Sequence, residues 1–378
     1  MRTHTLAVAL TAAVLATTVA CSSGDASSTS ADGTGPITVD ATDTTCTVAR
    51  TEAAAGTIEF TVRNTGSKVN EFYVYGEGDQ IIGEVENITP GLTRTFHVEV
   101  ANPGTYETAC KPGMKGTGIR GDFTVTGATS SQAPDAAMTA AVADYRTFVS
   151  AQADELLVRT TEFVDLVKAG KVEEAKKAFP VARGPWERIE PVAESFGDLD
   201  PMIDGREDVV EEGMEFTGFH RLEKDLWVSG LQPDTSAIAD KLLVDVKEIV
   251  AKAKAVELNP LQLANGSKAL LDEVATGKIT GEEDRYSHTD LYDFDENVKG
   301  SKAAIDALRP VLKARDAALL TTIDARFASL DTALDAHRTD AGFESYTALT
   351  QAEVKALAVA LDAVSEPISK VSGVVAGK

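Results

Sequence analysis

The stretch Gly218-Phe-His-Arg-Leu-Glu-Lys-Asp-Leu-Trp227 decides how most of this chain is read. At 100° per residue His220, Glu223 and Trp227 fall on one stripe of a helix, and Phe219, Leu222 and Leu226 fall on the stripe beside it. An imidazole and a carboxylate therefore border a core-facing surface. One helical turn is the separation at which two side chains hold one ion, as His-x-x-Glu pairs do in carboxylate-rich helical metal sites. A half-exposed His beside a surface acid is the plainer reading of the same pair.

A second stretch, Gly184-Pro-Trp-Glu-Arg-Ile-Glu-Pro-Val-Ala-Glu-Ser-Phe196, repeats the geometry with acids. Glu187, Glu190 and Glu194 share one stripe, and Trp186, Ile189 and Ala193 form the neighbouring one. Such acids repel one another unless they are solvated, protonated or bound to a cation. If the two apolar stripes pack together, the polar stripes converge as oxygen and imidazole ligands for a divalent or trivalent metal. Pro191 frees the carbonyl of Glu187 from its helical bond and should bend the helix there.

Outward from these motifs, residues 135–378 are rich in Ala and Leu and keep helical periodicity. Helices are expected over about 136–169, 172–180, 185–196, 205–228, 235–256, 260–276, 299–337 and 347–371, with stops at Gly184, Gly230, Gly277 and Gly300 among others. Residues 36–127 alternate instead. Ile37–Asp40, Thr57–Val62, Phe72–Tyr75, Thr95–Val100, Gly104–Thr108 and Asp122–Val125 read as strands, with turns at Asn64-Thr-Gly66 and Pro90-Gly91. About seven short strands suggest a β-sandwich. Strands followed only by helices imply a multidomain chain, an N-terminal β-sandwich and then an all-α helical bundle, joined by a Ser/Ala/Gln linker at 128–134.

The chain has 378 residues, and its 59 acidic and 36 basic side chains give a formal charge of −23. That balance disfavours nucleic acid and anionic lipid and attracts cations. Residues 1–20 read as an export signal: Arg2, an apolar run over 6–16, and small residues before Cys21. Cys21-Ser-Ser-Gly24 resembles a bacterial lipoprotein junction, with Cys21 lipidated and 21–35 a flexible tether. Cys46 and Cys110 remain, and outside the cytoplasm such a pair is most often a disulfide.

The runs PWERIEPVAESFGDLDPMID, GFHRLEKDLW and YSHTDLYDFDENVKGSKAAIDALRP closely resemble the EfeO-type iron-uptake lipoproteins. Those carry a cupredoxin-like domain before an imelysin-like helical domain. The resemblance implies extracytoplasmic capture of ferrous or ferric iron, with a membrane iron permease and a Dyp-type haem peroxidase as partners and no enzymatic role. It marks His220 and Glu223 as the His-x-x-Glu pair, Glu187, Glu190 and Asp204 as acidic ligands, and Asp290, then His288, as further candidates. Zinc peptidases of the inverted type need His-x-x-Glu-His. Lys224 stands where the second His would be, so hydrolysis is not expected.

The resemblance to cupredoxins ends on Tyr106-Glu-Thr-Ala-Cys110-Lys-Pro-Gly-Met114, but this loop has no His, and Asn70-Glu71 stands where a first His belongs. A different site, Cys46, Glu71, Cys110 and Met114 around copper or iron, competes with a Cys46–Cys110 disulfide. His97 alternates with Phe96 and Val98 and is read as solvent-facing. Carboxylates and one imidazole suit Fe(III), with Fe(II), Mn(II) or Zn(II) also able to bind. Two other classes stay open: a surface-attached acidic helical protein binding polysaccharide or another metal, and a redox enzyme using copper in the β-domain.

Overall fold

The structure, a computed structural model, describes residues 35–127, 135–193, 195, 199–340 and 342–377. The export signal, Cys21, most of the tether, the 128–134 linker and Glu194 lie outside the described residues.

The N-terminal part is a two-sheet sandwich. Its strands are β1 (Ile37–Ala41), β2 (Cys46–Val48), β3 (Glu52–Ala54), β4 (Gly56–Asn64), β5 (Asn70–Tyr75), β6 (Ile81–Ile88), β7 (Thr93–Val100), β8 (Gly104–Cys110) and β9 (Ile119–Thr126). One sheet runs β2-β1-β4-β7 and the other β3-β9-β8-β5-β6. β1 with β4 and β3 with β9 are parallel, and the remaining pairs are antiparallel. Alternation supplies the core: Phe60, Phe72, Phe96 and Phe123 meet between the sheets, with Phe60 at 5.0, 6.3 and 5.6 Å from the other three ring centroids.

The C-terminal part is helical: α1 (Ala136–Lys168), α2 (Val172–Ala193), α3 (Leu199–Ile203), α4 (Gly218–Lys224), α5 (Thr235–Ala255), α6 (Pro260–Thr276), α7 (Asp290–Arg315), α8 (Ala317–Asp335), α9 (Gln351–Ile368) and α10 (Val371–Ala376). A short hairpin, β10 (Arg338–Thr339) and β11 (Gly342–Phe343), separates α8 from α9. No described helix is long and apolar enough to cross a membrane.

Several boundaries differ from the sequence expectation, among them the start of α7, at Asp290 and not at 299. The helices expected over 172–180 and 185–196 are one helix, α2, which runs through Gly184 with Pro180, Pro185 and Pro191 inside it. Each proline removes one backbone donor. At Pro191 the loss is compensated, because Asn297 Nδ2 on α7 donates to the freed Glu187 carbonyl at 2.8 Å. The helix expected over 205–228 is instead a 3₁₀ turn at Glu207–Glu212, then α4, which widens into one π-turn at Asp225–Ser229. Between them Gly218 has φ 77°, and a Cβ there would lie 2.1 Å from the Ile203 carbonyl oxygen. The helix expected over 299–337 is divided at Asp316, whose carboxylate accepts from the Leu319 N–H at 2.9 Å and caps α8. The last helix is likewise two, α9 and α10.

His97 is not solvent-facing. It is 6 % exposed: α6 and α10 pack against β7, and Asn265 Nδ2 of α6 donates to the His97 main-chain carbonyl at 2.8 Å. Phe96 and Val98 on either side of it belong to the sandwich core and His97 does not, as alternation in β7 requires, but helices from the second part of the chain pack against this strand.

Candidate metal centre

The apolar stripes of the two opening motifs do pack into one core. Phe219 lies 6.0 Å from Phe163 and 6.5 Å from Phe179, ring centre to ring centre, and Trp186 and Ile189 belong to the same buried cluster. Their polar stripes border one buried cluster, to which the 278–289 segment between α6 and α7 adds Lys278, Glu283 and Asp284.

His220 is 1 % exposed. Its Nδ1 is 3.0 Å from Glu223 Oε2 and 3.9 Å from Asp284 Oδ1. Its Nε2 makes no hydrogen bond, yet faces Asp204 Oδ1 and Glu283 Oε1, each at 3.6 Å. Two donors bound to one transition-metal ion at 2.0–2.2 Å and a tetrahedral angle are about 3.3–3.6 Å apart. The spacing around Nε2 therefore fits an ion, and Asp204–His220–Glu283 and His220–Glu223–Asp284 each bring three ligand atoms within 4.8 Å of one another. Glu223 is held for this by its second oxygen, which accepts from the N–H groups of Tyr286 at 3.0 Å and Ser287 at 2.7 Å.

Two permanent cations sit in the same cluster. Arg183, on α2 and wholly buried, donates to Glu187 at 2.7 Å, to both oxygens of Asp204 at 3.0 and 2.9 Å, to Glu283 at 3.3 Å, to Asp284 at 2.8 Å and to Asp293. Lys278 lies 3.3 Å from Glu190, 3.4 Å from Glu187, 3.8 Å from Glu273 and 3.9 Å from Glu283. Glu187, Glu190, Asp204, Glu223, Glu283, Asp284, Asp290 and Asp293 are all buried. Against these eight carboxylates stand Arg183 and Lys278 within the cluster and Arg206, 3.0 Å from Glu283, at its edge, an excess of five negative charges when all are ionised.

Burial opposes that ionisation, and the cluster holds protons. Burial lifts Glu187, Glu190 and Asp293 above the usual carboxylate range. It raises Asp284 to about 6 against the pull of Arg183, and burial together with Asp284 raises Asp290 to about 7. Burial also disfavours charge on Glu283, but Lys278 and Arg206 outweigh it and keep that carboxyl well below its ordinary value. Burial and Arg183 push His220 down, whereas Asp204, Glu223 and Glu283 outweigh them and raise it to about 10.

The sequence-expected residues thus divide. Asp204, His220 and Glu223 come together. Glu187 and Glu190 line the same cluster but face Arg183 and Lys278. Asp290 is one step back, where its carboxylate accepts from the Asp284 N–H at 3.2 Å. His288, with φ 57°, holds the segment by its backbone, accepting from Tyr346 N–H at 2.9 Å. The sequence reading missed Arg183, Lys278, Glu283, Asp284 and Asp293. Arg183 stood one turn before Glu187, and Glu282-Glu-Asp284 was an acidic run just ahead of the quoted Tyr286-Ser-His288.

The second set does not form a thiolate site. Cys46 and Cys110 are joined in a disulfide, and bonded sulfurs are poor ligands. Cys110 points into the sandwich core, Glu71 accepts from the Tyr73 hydroxyl at 2.9 Å, and Met114 is 36 % exposed.

The chain is thus of a two-part class, a β-sandwich followed by an all-α part built around a buried carboxylate–imidazole cluster. A family model described as Imelysin, under the label Peptidase_M75, matches residues 141–371, and one described as a cupredoxin-like domain matches 9–125. The chain belongs to the imelysin family, with the cupredoxin-like part in front that marks its EfeO type. It is 37% identical over 345 residues to the iron uptake system component EfeO of Escherichia coli O1:K1, covering 89% of this chain and 91% of that one. It is 36% identical over the same shares to the EfeO of Shigella flexneri. The peptidase label is a family label; Lys224 still stands where an inverted zinc peptidase site needs its second His.

Proposed function

We propose that this chain is an extracytoplasmic lipoprotein that captures iron through its helical part and delivers it to a partner membrane permease. The observation that carries the reading is the buried His220 Nε2, free of hydrogen bonds and 3.6 Å from both Asp204 and Glu283. The nitrogen and the two carboxylate oxygens stand at the separation of ligands around one ion. Hard carboxylate oxygens with one imidazole favour ferric over softer ions. Iron is the cargo; Asp204, His220 and Glu283 hold it, and Glu223 and Asp284 approach from the Nδ1 side. The names of the relatives, iron uptake system components, support iron over copper or zinc.

Lipidation at Cys21 would tether the protein outside the cell membrane, near the permease and a Dyp-type haem peroxidase of the same system. The domains on this reading are the sandwich at 36–127 and the metal-binding bundle at 135–378, joined by 128–134.

The test is calorimetric titration of iron into the soluble chain from Ser22 onward, wild type against His220→Ala with Glu223→Ala. Tight binding lost in the double variant is expected. Equal binding in both, or none in either, overturns the assignment.

A further inference from the structure

The Lys278 ammonium occupies a position unlike that of an ordinary ion-pair partner. A charge-assisted N–H···O bond is normally 2.7–2.9 Å long, and Arg183 Nη2 reaches Glu187 and Asp204 at 2.7 and 2.9 Å in the same cluster. Lys278 Nζ instead stands 3.3 Å from both oxygens of Glu190 and 3.4 Å from Glu187, with Glu273 and Glu283 at 3.8 and 3.9 Å. It is centred among four carboxylates from α2, α6 and the 278–289 segment and committed to none. Its own side chain is wholly buried. One oxygen, Glu283 Oε1, faces Lys278 on one side and His220 Nε2 on the other. A carboxylate shared between two cation positions, with one imidazole and several further acids around it, is how helical proteins hold a pair of metal ions.

We infer that Lys278 is a built-in cation filling one half of a two-cation carboxylate site, so that the protein takes up one metal ion where its carboxylates alone would hold two. The inference rests on the reading of the His220 cluster as a metal site. In that frame Lys278 sets capacity: its fixed charge stands against Glu187 and Glu190 and keeps the incoming ion at the His220 side. A single ion bound there can leave for a carrier without a second ion competing for Glu283.

The experiment uses Mn(II) as probe, with the soluble chain from Ser22 onward. Bound metal per protein is measured after dialysis, and electron paramagnetic resonance separates isolated ions from coupled pairs. Wild type should hold one ion with an isolated-ion spectrum. Lys278→Ala, which removes charge and volume together, should hold two, with the exchange-broadened spectrum of neighbouring ions. Adding Glu187→Gln and Glu190→Gln to Lys278→Ala should return the count to one.

If Lys278→Ala folds only when Mn(II) is present and then holds two ions, the inference stands, since a metal has replaced the ammonium. One ion in the variant, two in the wild type, or a variant that stays unfolded in saturating Mn(II) overturns it. No ion in the wild type overturns the metal-site reading first, and the inference with it.

Discussion

Loading the His220 site should expel protons, and the slope of affinity against pH counts them. Burial and Arg183 work against charge on the imidazole, but Asp204, Glu223 and Glu283 prevail and lift its pKa to about 10. At pH 7 the ring is protonated, and it must lose that proton before it can coordinate. One displaced proton makes the affinity rise tenfold per pH unit, about 1.4 kcal/mol each. Between pH 7 and 9 the gain is therefore about a hundredfold. Below pH 7 the slope should steepen, because Asp290, at about 7, and Asp284, at about 6, begin to hold protons as well. Calorimetry in buffers of different ionisation enthalpy measures the protons released directly, and Mn(II) or Zn(II) avoids the hydrolysis of ferric iron. His220→Gln, which cannot carry the charge, should flatten the slope above pH 7 while binding more weakly throughout. Affinity independent of pH from 7 to 9 in the wild type, or no proton release, would refute the derivation.

The same groups predict how stability varies with pH in the absence of metal. The folded-state pKa values of Asp284, Asp290 and His220 all lie above their ordinary values, so each contributes stability at low pH that is lost as pH rises through about 6, 7 and 10. Tm without metal should fall from pH 5 to 9 and flatten with saturating Mn(II); a Tm that climbs over that interval would contradict the charge arrangement. Asn297→Ala should cost about 1–3 kcal/mol by orphaning the Glu187 carbonyl and loosening two buried acids. In a Pro191→Ala background the cost should shrink, because an amide at 191 can take over the carbonyl, and a denaturant double-mutant cycle reads the difference. An additive cycle would show that the proline and the asparagine are not coupled. Replacing Cys46 and Cys110 with Ala opens a loop of 64 residues and should cost about 4 kcal/mol of unfolding free energy. Metal affinity at the His220 site should be unchanged; a fall in it would tie the sandwich to the helical site.

Both halves of the architecture were legible because periodicity is local. Phe60, Phe72 and Phe96 alternate with polar neighbours over a few residues, and Phe219, Leu222 and Leu226 recur at helical spacing, so each face could be assigned without knowing its partner. The same locality explains the boundary errors. At Gly184, where a stop was expected, α2 runs on, and the side chain packed against that glycine is Glu296 of α7, far along the chain; the carbonyl that Pro191 frees is likewise satisfied from α7, by Asn297, 110 residues beyond Glu187. His97 fails in the same way: the alternation is right, and the contact with its strand comes from α6, where Asn265, 168 residues away, bonds its main chain.

The site divides along a different line. An acid stripe such as Glu187 and Glu190 shows itself because like charges at one turn's spacing need an explanation. The cations that supply the explanation carry no such signal. Arg183 and Lys278 look like two more surface residues of an amphipathic chain until the fold encloses them, and Lys278 reaches Glu190 across 88 residues. Removing either would leave several buried carboxylates facing one another, and an unpaired buried charge costs about 3–5 kcal/mol. On the inference drawn from its position, the lysine that helps keep the cluster folded without metal also limits how much metal it accepts. On that account, folding and cargo capacity are set by one charge balance, and His220, Asp284 and Asp290 each change their share of it by releasing a proton.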